Sequence, residues 1–206
     1  MEIKKDTYKT ISKSSKEVLF KDRGSKFFGY AFPVISEDEI RAHIDQLKKD
    51  HYNARHWCYA WQLGKEYERY RANDDGEPSN SAGMSIYGQL QSFDVTNVLI
   101  VVVRYFGGTK LGVGGLIQAY KTAAKLALDS STIVEKTINK LFTLKFEYAE
   151  MNTVMRIIKD ENLKITHQKM ELDCEITISI RKKEADRIFE IFDNTYKVSI
   201  KKIEEG

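Results

Sequence analysis

The 206-residue sequence has only two prolines, two cysteines and no long apolar run. A membrane-spanning helix needs about 20 consecutive apolar residues, and no stretch of this chain provides them. The opening residues, Met1 to Asp6, are not followed by the apolar segment of a secretory signal. We therefore expect a cytoplasmic protein with no membrane partner.

The few cysteines argue against a disulfide-bonded protein, and the balanced charge gives no sign of a nucleic-acid-binding protein. Cys58 and Cys174 lie far apart in separate strand-like segments, which favours buried, reduced thiols over a disulfide framework. The 33 Lys and Arg residues nearly balance the 30 Asp and Glu residues, so net charge alone indicates no nucleic-acid ligand, and we expect no DNA partner. What the chain does contain is 42% apolar residues, enough for packed cores.

The first third of the chain predicts a hairpin followed by a helix. Two apolar runs flank the turn-forming residues 22–25, a pattern typical of a β-hairpin. Ser36 and Glu39 then match a capping box, and apolar residues follow at helical spacing. The sequence therefore predicts a helix over about residues 35–50.

Two more strands are predicted by different patterns. Three aromatic residues recur at period two and would share one strand face, which we expect a helix to cover: Trp57, Tyr59 and Trp61. The β-branched run 97–103 is typical of a strand buried on both faces. Residues 73–81 between them are dense in turn formers and predict a loop, with a short helix at about 82–90.

A glycine-rich segment follows the buried strand and precedes an amphipathic helix that starts near Leu116. Its five glycines are Gly107, Gly108, Gly112, Gly114 and Gly115. Such a loop can present backbone N–H groups to an anion, with Lys110 adding a charge, or it can simply allow close packing. The segment matches neither the phosphate-loop motif nor the dinucleotide-binding motif.

Beyond residue 132 the pattern changes to alternating strands and two short helices. The order β-α-β-β-α-β over residues 141–200 is that of a ferredoxin-like domain. We therefore predict an α+β protein of two domains, residues 1–132 and 133–206.

Three neighbouring residues at the end of the buried strand are candidates for binding. Arg104, Tyr105 and Phe106 stand where side chains begin to reach the surface, and an arginine beside aromatic rings can stack on bases or hold a protein partner. The alternative is that the two rings only cover the edge of the core.

An acidic turn offers a second candidate site. Asp74, Asp75 and Glu77 supply carboxylates that can bind Mg²⁺ or Ca²⁺, but their spacing does not match a calcium loop. A capped turn is the favoured interpretation, and pairing with Arg104 or Arg55 is a third. His56 has no catalytic motif around it and is more simply a structural residue.

Four segments, in this order, resemble the YigZ/IMPACT family: Asp-Arg-Gly-Ser-Lys-Phe at 22–27, Ala-Arg-His-Trp-Cys-Tyr-Ala at 54–60, Asp-Asp-Gly-Glu-Pro-Ser at 74–79 and Arg-Tyr-Phe-Gly-Gly-Thr-Lys-Leu-Gly at 104–112. The resemblance implies a first domain like domain two of ribosomal protein S five, as in domain four of elongation factor G, and a ferredoxin-like second domain. Eukaryotic relatives regulate translation by competing for a ribosome-associated activator of a starvation-responsive kinase. For this chain the resemblance implies RNA, the ribosome or a protein as partner, with no cofactor and no reaction.

The sequence departs from the family pattern at two places. Asn80-Ser81-Ala82-Gly83 replaces the usual Gly-Thr-Ala-Gly, a change that the turn can accept because Asn tolerates left-handed torsions. Gln118 stands where arginine is usual, which removes a charge near the glycine-rich segment.

The leading hypothesis is a non-catalytic binding protein linked to translation. Its predicted contact surface is Arg55, His56, Asp74, Asp75, Glu77, Arg104, Tyr105, Phe106, Gly107, Gly108, Lys110, Gly112, Gly114 and Gly115. The competing hypothesis is a metal-assisted hydrolase or phosphotransferase with the acidic turn as its metal site and His56 as its base. A third is an assembly module that acts by protein contacts alone.

Overall fold

The computed structural model of the chain describes residues 6–203. The described residues divide into two compact units: residues 8–136 form the first, and the second combines residues 137–203 with residues 6 and 7. Among residues 6–203, no helix has both the length and the apolar composition that crossing a bilayer requires.

The first unit contains seven strands and three helices among its described residues. In chain order they are β1 Thr7–Ile11, β2 Val18–Asp22, β3 Ser25–Pro33, α1 Glu37–Asp50, β4 His56–Leu63, β5 Arg69–Asn73, α2 Gly83–Ser92, β6 Val98–Tyr105, α3 Gly112–Asp129 and β7 Ile133–Thr137. Five strands form an antiparallel sheet in the order β2-β3-β6-β4-β5, and β1 pairs with β7. The β1–β7 pairing is the reason that the unit extends four residues beyond the predicted boundary at 132.

The central sheet is covered on both faces. Helices α2 and α3 pack on one face, and α1 packs on the other, so that Val98 to Val103 of β6 are fully buried. The side chains of Trp57, Tyr59 and Trp61 lie on the sheet face that α1 covers. The Trp57 indole N–H donates to the Leu47 carbonyl at 3.3 Å. The predicted buried strand and the helix-covered aromatic face are both confirmed.

Local signals in the sequence specified two further features. Residues Arg23 and Gly24, with φ of 44° and 81°, form the tight turn of the predicted hairpin. Ser36 Oγ accepts the Glu39 N–H at 3.2 Å and starts α1, as the capping box predicts. The Glu39 carboxylate in turn accepts the N–H of Ile35 at 2.7 Å.

The pattern did not predict strands β1, β5 and β7. β5 has the polar sequence Arg-Tyr-Arg-Ala-Asn and lies at the sheet edge, where only its pairing with β4 makes it a strand. Cross-strand hydrogen bonds of this kind depend on a partner that is distant in sequence, so an isolated segment carries little signal.

The second unit has the predicted β-α-β-β-α-β order. Its elements are β8 Asn139–Glu147, α4 Met151–Asp160, β9 Lys164–Lys169, β10 Asp173–Arg181, α5 Ala185–Asp193 and β11 Val198–Lys202. They form one antiparallel sheet in the order β11-β8-β10-β9, with the apolar side chains of α4 and α5 in the same core. The α+β class and the ferredoxin-like arrangement are therefore confirmed.

Candidate functional site

The sheet register brings the separate sequence motifs of the first unit to one end of the sheet. Arg104 on β6 lies between Phe27 on β3 and His56 on β4. One residue further along, Lys26 pairs with Tyr105. The β2–β3 turn, the start of β4 and the end of β6 thus lie side by side, although more than 80 residues separate the first from the last.

Arg104, which the sequence placed at the surface, is instead 5% exposed. Its Nη1 lies 2.6 Å from Oε1 of Glu77, and both side chains are almost fully buried. The Tyr120 hydroxyl donates to the same carboxylate oxygen at 2.7 Å, and the buried Nε of Arg104 has no hydrogen-bond partner within residues 6–203. The side chain points inward because Phe27, its neighbour on β3, lies on the α2–α3 face.

The aspartates of the acidic turn accept hydrogen bonds from backbone N–H groups. The Asp74 carboxylate accepts the N–H groups of Asn80, Ala82 and Gly83 at 2.8, 2.9 and 2.8 Å, and so holds the start of α2. Asp75 accepts the Trp57 N–H at 2.7 Å, which ties the turn to β4. Across residues 6–203, no three His, Cys, Asp or Glu side chains are grouped so that they could hold a metal ion.

His56 and Cys58 are tied to the same turn. The His56 Nδ1 lies 2.8 Å from the Asp75 carbonyl, and the Cys58 thiol donates to the Asp74 carbonyl at 2.9 Å. Burial raises the pKa of the Cys58 thiol, so the group stays protonated and unreactive. Both Cys58 and Cys174 are free and buried.

The glycine-rich segment is shorter as a loop than the sequence predicts. Helix α3 begins at Gly112, so Gly112, Gly114 and Gly115 lie in its first turn and only Gly107 and Gly108 lie in the loop. The backbone of Gly107 packs against Gly24 so closely that an added Cβ would overlap the Gly24 carbonyl group. The Gly107 N–H also donates to Ser25 Oγ at 3.2 Å. Close packing therefore explains this glycine.

Other predicted residues remain accessible at this end of the sheet. Arg55, Gly108 and Lys110 are exposed, Phe106 is 46% exposed, and Tyr105 is half-buried. The structure adds two exposed cations that the sequence did not single out as site residues, Arg23 and Lys26. We call the set Arg23, Lys26, Arg55, Phe106 and Lys110 the basic sheet end.

The basic sheet end is a local cationic patch on a nearly neutral chain. Within residues 6–203, none of its four cations lies within 4.0 Å of a carboxylate oxygen, whereas Arg104 is neutralised by Glu77. The ring of Phe106 lies 5.6 Å from the Arg104 guanidinium and is still accessible from solvent. The hairpin motif at residues 22–27 contains the two cations that the sequence analysis missed. Only the Gly24–Gly107 contact brings their turn against the glycine-rich segment that carries Lys110.

Comparisons with known proteins agree with these motifs. The family model of the Impact N-terminal domain matches residues 23–128. The chain is 28% identical over 184 residues to the IMPACT family member YvyE of Bacillus subtilis, covering 89% of this chain and 84% of that protein. It is 35% identical over 136 residues to the IMPACT family member YigZ of Escherichia coli, covering 65% and 67% of the two chains.

A solved crystal structure, described as that of a hypothetical protein, matches the whole fold. Its TM-score is 0.72 at 25% identity, and the match covers 98% of this chain and 100% of the other. The span of the family model lies within the first unit, which carries the four motifs. The chain belongs to the IMPACT family.

Proposed function

We propose that this protein is a non-catalytic, translation-linked regulator that binds single-stranded RNA, free or within the ribosome, through the basic sheet end. The observation that supports this proposal is the clustering of four exposed cations without carboxylate partners in residues 6–203 beside an exposed aromatic ring. Cations neutralise phosphates, and aromatic side chains stack on unpaired bases.

A single-stranded ligand fits better than a duplex. The patch consists of residues from three strand ends and a short loop, and contains no helix face that could enter a groove. Unpaired nucleotides can present both a phosphate and an accessible base to Lys110 and Phe106. The link to translation comes from the family resemblance, since the eukaryotic relatives regulate translation.

The competing hydrolase hypothesis has no geometric support of its own. Both oxygens of Asp74 accept backbone N–H groups, and Glu77 is committed to Arg104 and Tyr120. A protein partner that binds the same surface is the remaining alternative, and its salt dependence would differ from that of RNA.

The test is binding of a fluorescently labelled single-stranded RNA of 12 nucleotides, measured by anisotropy at several salt concentrations. The test variant is Arg55→Gln/Lys110→Gln. The matched control is Lys159→Gln/Lys201→Gln, which removes the same charge from exposed lysines of the second unit.

We expect the test variant to weaken binding at low salt. It should also reduce the slope of log K against log [salt] by about 1.4, because each lost phosphate contact changes the slope by about 0.7 for single strands. The control should bind like the wild type. Equal loss in both variants would show non-specific attraction, and no binding by the wild type would refute the proposal.

A further inference from the structure

A groove opens beside the basic sheet end, on the face of the sheet that α1 covers. Its volume is about 470 Å³, within the range of small-molecule sites. Its lining residues are Glu17, Gly24, Lys26, Phe28, His51, Tyr105 and Phe106. Four of these seven carry aromatic rings, so the walls suit a flat, unsaturated ligand.

A chain of hydrogen bonds holds these walls in place. The Tyr30 hydroxyl donates to Glu17 Oε2 at 2.5 Å, so its oxygen accepts from the His51 Nε2, which lies 2.6 Å away. In the neutral imidazole that donates from Nε2, the His51 Nδ1 is the acceptor for the Tyr105 hydroxyl, 3.0 Å away. Burial, followed by the bond to Glu17, raises the pKa of Tyr30, which keeps this donor protonated.

The direction of this chain defines the chemistry of the groove. Because the Tyr105 hydroxyl donates its hydrogen to His51, its oxygen can only accept a hydrogen bond from a ligand. Glu17 offers a second acceptor through the carboxylate oxygen that Tyr30 does not use. The rings of Phe28 and Tyr105 meet edge to face, with centroids 5.6 Å apart. The groove therefore combines rigid aromatic walls with hydrogen-bond acceptors.

We propose that this groove binds one nucleotide, with its base against the aromatic walls and its phosphate beside Lys26 and Arg23. The N–H groups of a base match the acceptor oxygens of Tyr105 and Glu17. The exposed Lys26 ammonium lies at the groove, and Arg23 adjoins Gly24 in its lining. This inference rests on the proposed function, because it names the part of an RNA strand that the basic sheet end would hold.

The nucleotide can be free or part of an RNA strand, and two measurements separate these sources. The first is calorimetric titration with each of the four ribonucleoside 5′-monophosphates. The second is anisotropy with the 12-nucleotide RNA. The variants are Phe106→Leu, which removes a stacking ring, and Lys26→Gln, which removes the charge. The matched controls are Tyr148→Leu and Lys159→Gln, both at exposed positions of the second unit.

We expect at least one monophosphate to bind, and Phe106→Leu to weaken it about fivefold or more, since stacking on an aromatic ring contributes at least that much. Lys26→Gln should weaken it as well, because it removes a cation beside the phosphate. The two controls, whose residues lie outside the groove lining, should stay within twofold. Absence of binding by all four monophosphates at millimolar concentration would overturn the inference. Unchanged binding in both test variants would overturn it as well.

The two proposals fail in different ways. If RNA binds with the expected salt slope but Phe106→Leu and Lys26→Gln leave the monophosphates unaffected, the groove inference is wrong and the RNA proposal stands. If a monophosphate binds in the groove and the RNA does not, the site takes free nucleotides and the proposed function is wrong. Lys26→Gln changes an exposed side chain, so the test survives even if Phe106→Leu does not fold.

Discussion

Arg104 and Glu77 form a buried ion pair, with Nη1 and Oε1 2.6 Å apart and side-chain exposures of 6% and 4%. The pair joins two of the family motifs, one at the end of β6 and one in the acidic turn. Tyr120 on α3 donates to the same carboxylate, so three separate segments are tied together at one point. A conspicuous charged motif here stabilises the fold, and the ligand-accessible charges lie around it.

Breaking this pair should be costly. We expect Arg104→Met to lower the free energy of unfolding by about 3–5 kcal/mol, because Glu77 would remain buried without its partner. Lys125→Met removes one partner of an exposed pair with Asp129 and should cost less than about 1 kcal/mol. Urea unfolding of both variants checks this. The double variant Arg104→Met/Glu77→Gln should cost less than the sum of its single changes, and strict additivity would contradict the coupling.

Gly107 should tolerate no side chain. A Cβ there would overlap the backbone of Gly24, so we expect Gly107→Ala to cost at least about 2 kcal/mol. Gly114→Ala is the control, since it has open space in the first turn of α3 and should stabilise the helix by less than the roughly 1 kcal/mol gained in a helix interior. Thermal melts of the two variants should shift in opposite directions. Similar shifts would show that the Gly24–Gly107 contact does not exclude a side chain at position 107.

Asp74 should act as a cap and not as a metal ligand. We expect Asp74→Ala to destabilise the protein by about 2 kcal/mol, because three N–H groups at the start of α2 lose their acceptor. Asp74→Asn keeps one carbonyl oxygen and should cost less. Melting temperatures with and without millimolar Mg²⁺ provide the check, and a wild-type melting temperature that rises with Mg²⁺ would favour a metal role instead.

Stability should fall in alkaline solution. Burial raises the pKa of Tyr120 and Tyr30 above 10.0, so these hydroxyls keep their protons in the folded protein after unfolded tyrosines have lost theirs. Above about pH 10 the unfolded state therefore binds fewer protons, and the free energy of unfolding decreases as pH rises. At lower pH this contribution is fully present.

Absorbance at 295 nm follows this titration among the 11 tyrosines. We expect at least two of them to ionise only as the protein unfolds. Tyr120→Phe should remove one of these late ionisations. A single early step for all tyrosines would contradict the burial of Tyr120.

The regular elements with strong local signals were predictable from the sequence. The capping box at Ser36, the period-two aromatic residues of β4 and the β-branched run of β6 each depend on neighbours within a few positions. The same holds for the β-α-β-β-α-β order of the second unit. Edge strand β5 was missed because its ladder partner, and not its composition, makes it a strand.

The candidate site shows the same difference between features that the local sequence reveals and features that depend on distant segments. The sequence alone determined which residues are distinctive, including Arg104, Glu77 and the glycines, and so determined the family. Only the tertiary structure decided which of them are accessible, because the register of β6 points Arg104 into the core while Lys26 and Lys110 stay in solvent. The burial of this one charged side chain is set by its contacts with β3 and the acidic turn, which are distant in the chain, so the residues next to Arg104 do not reveal it.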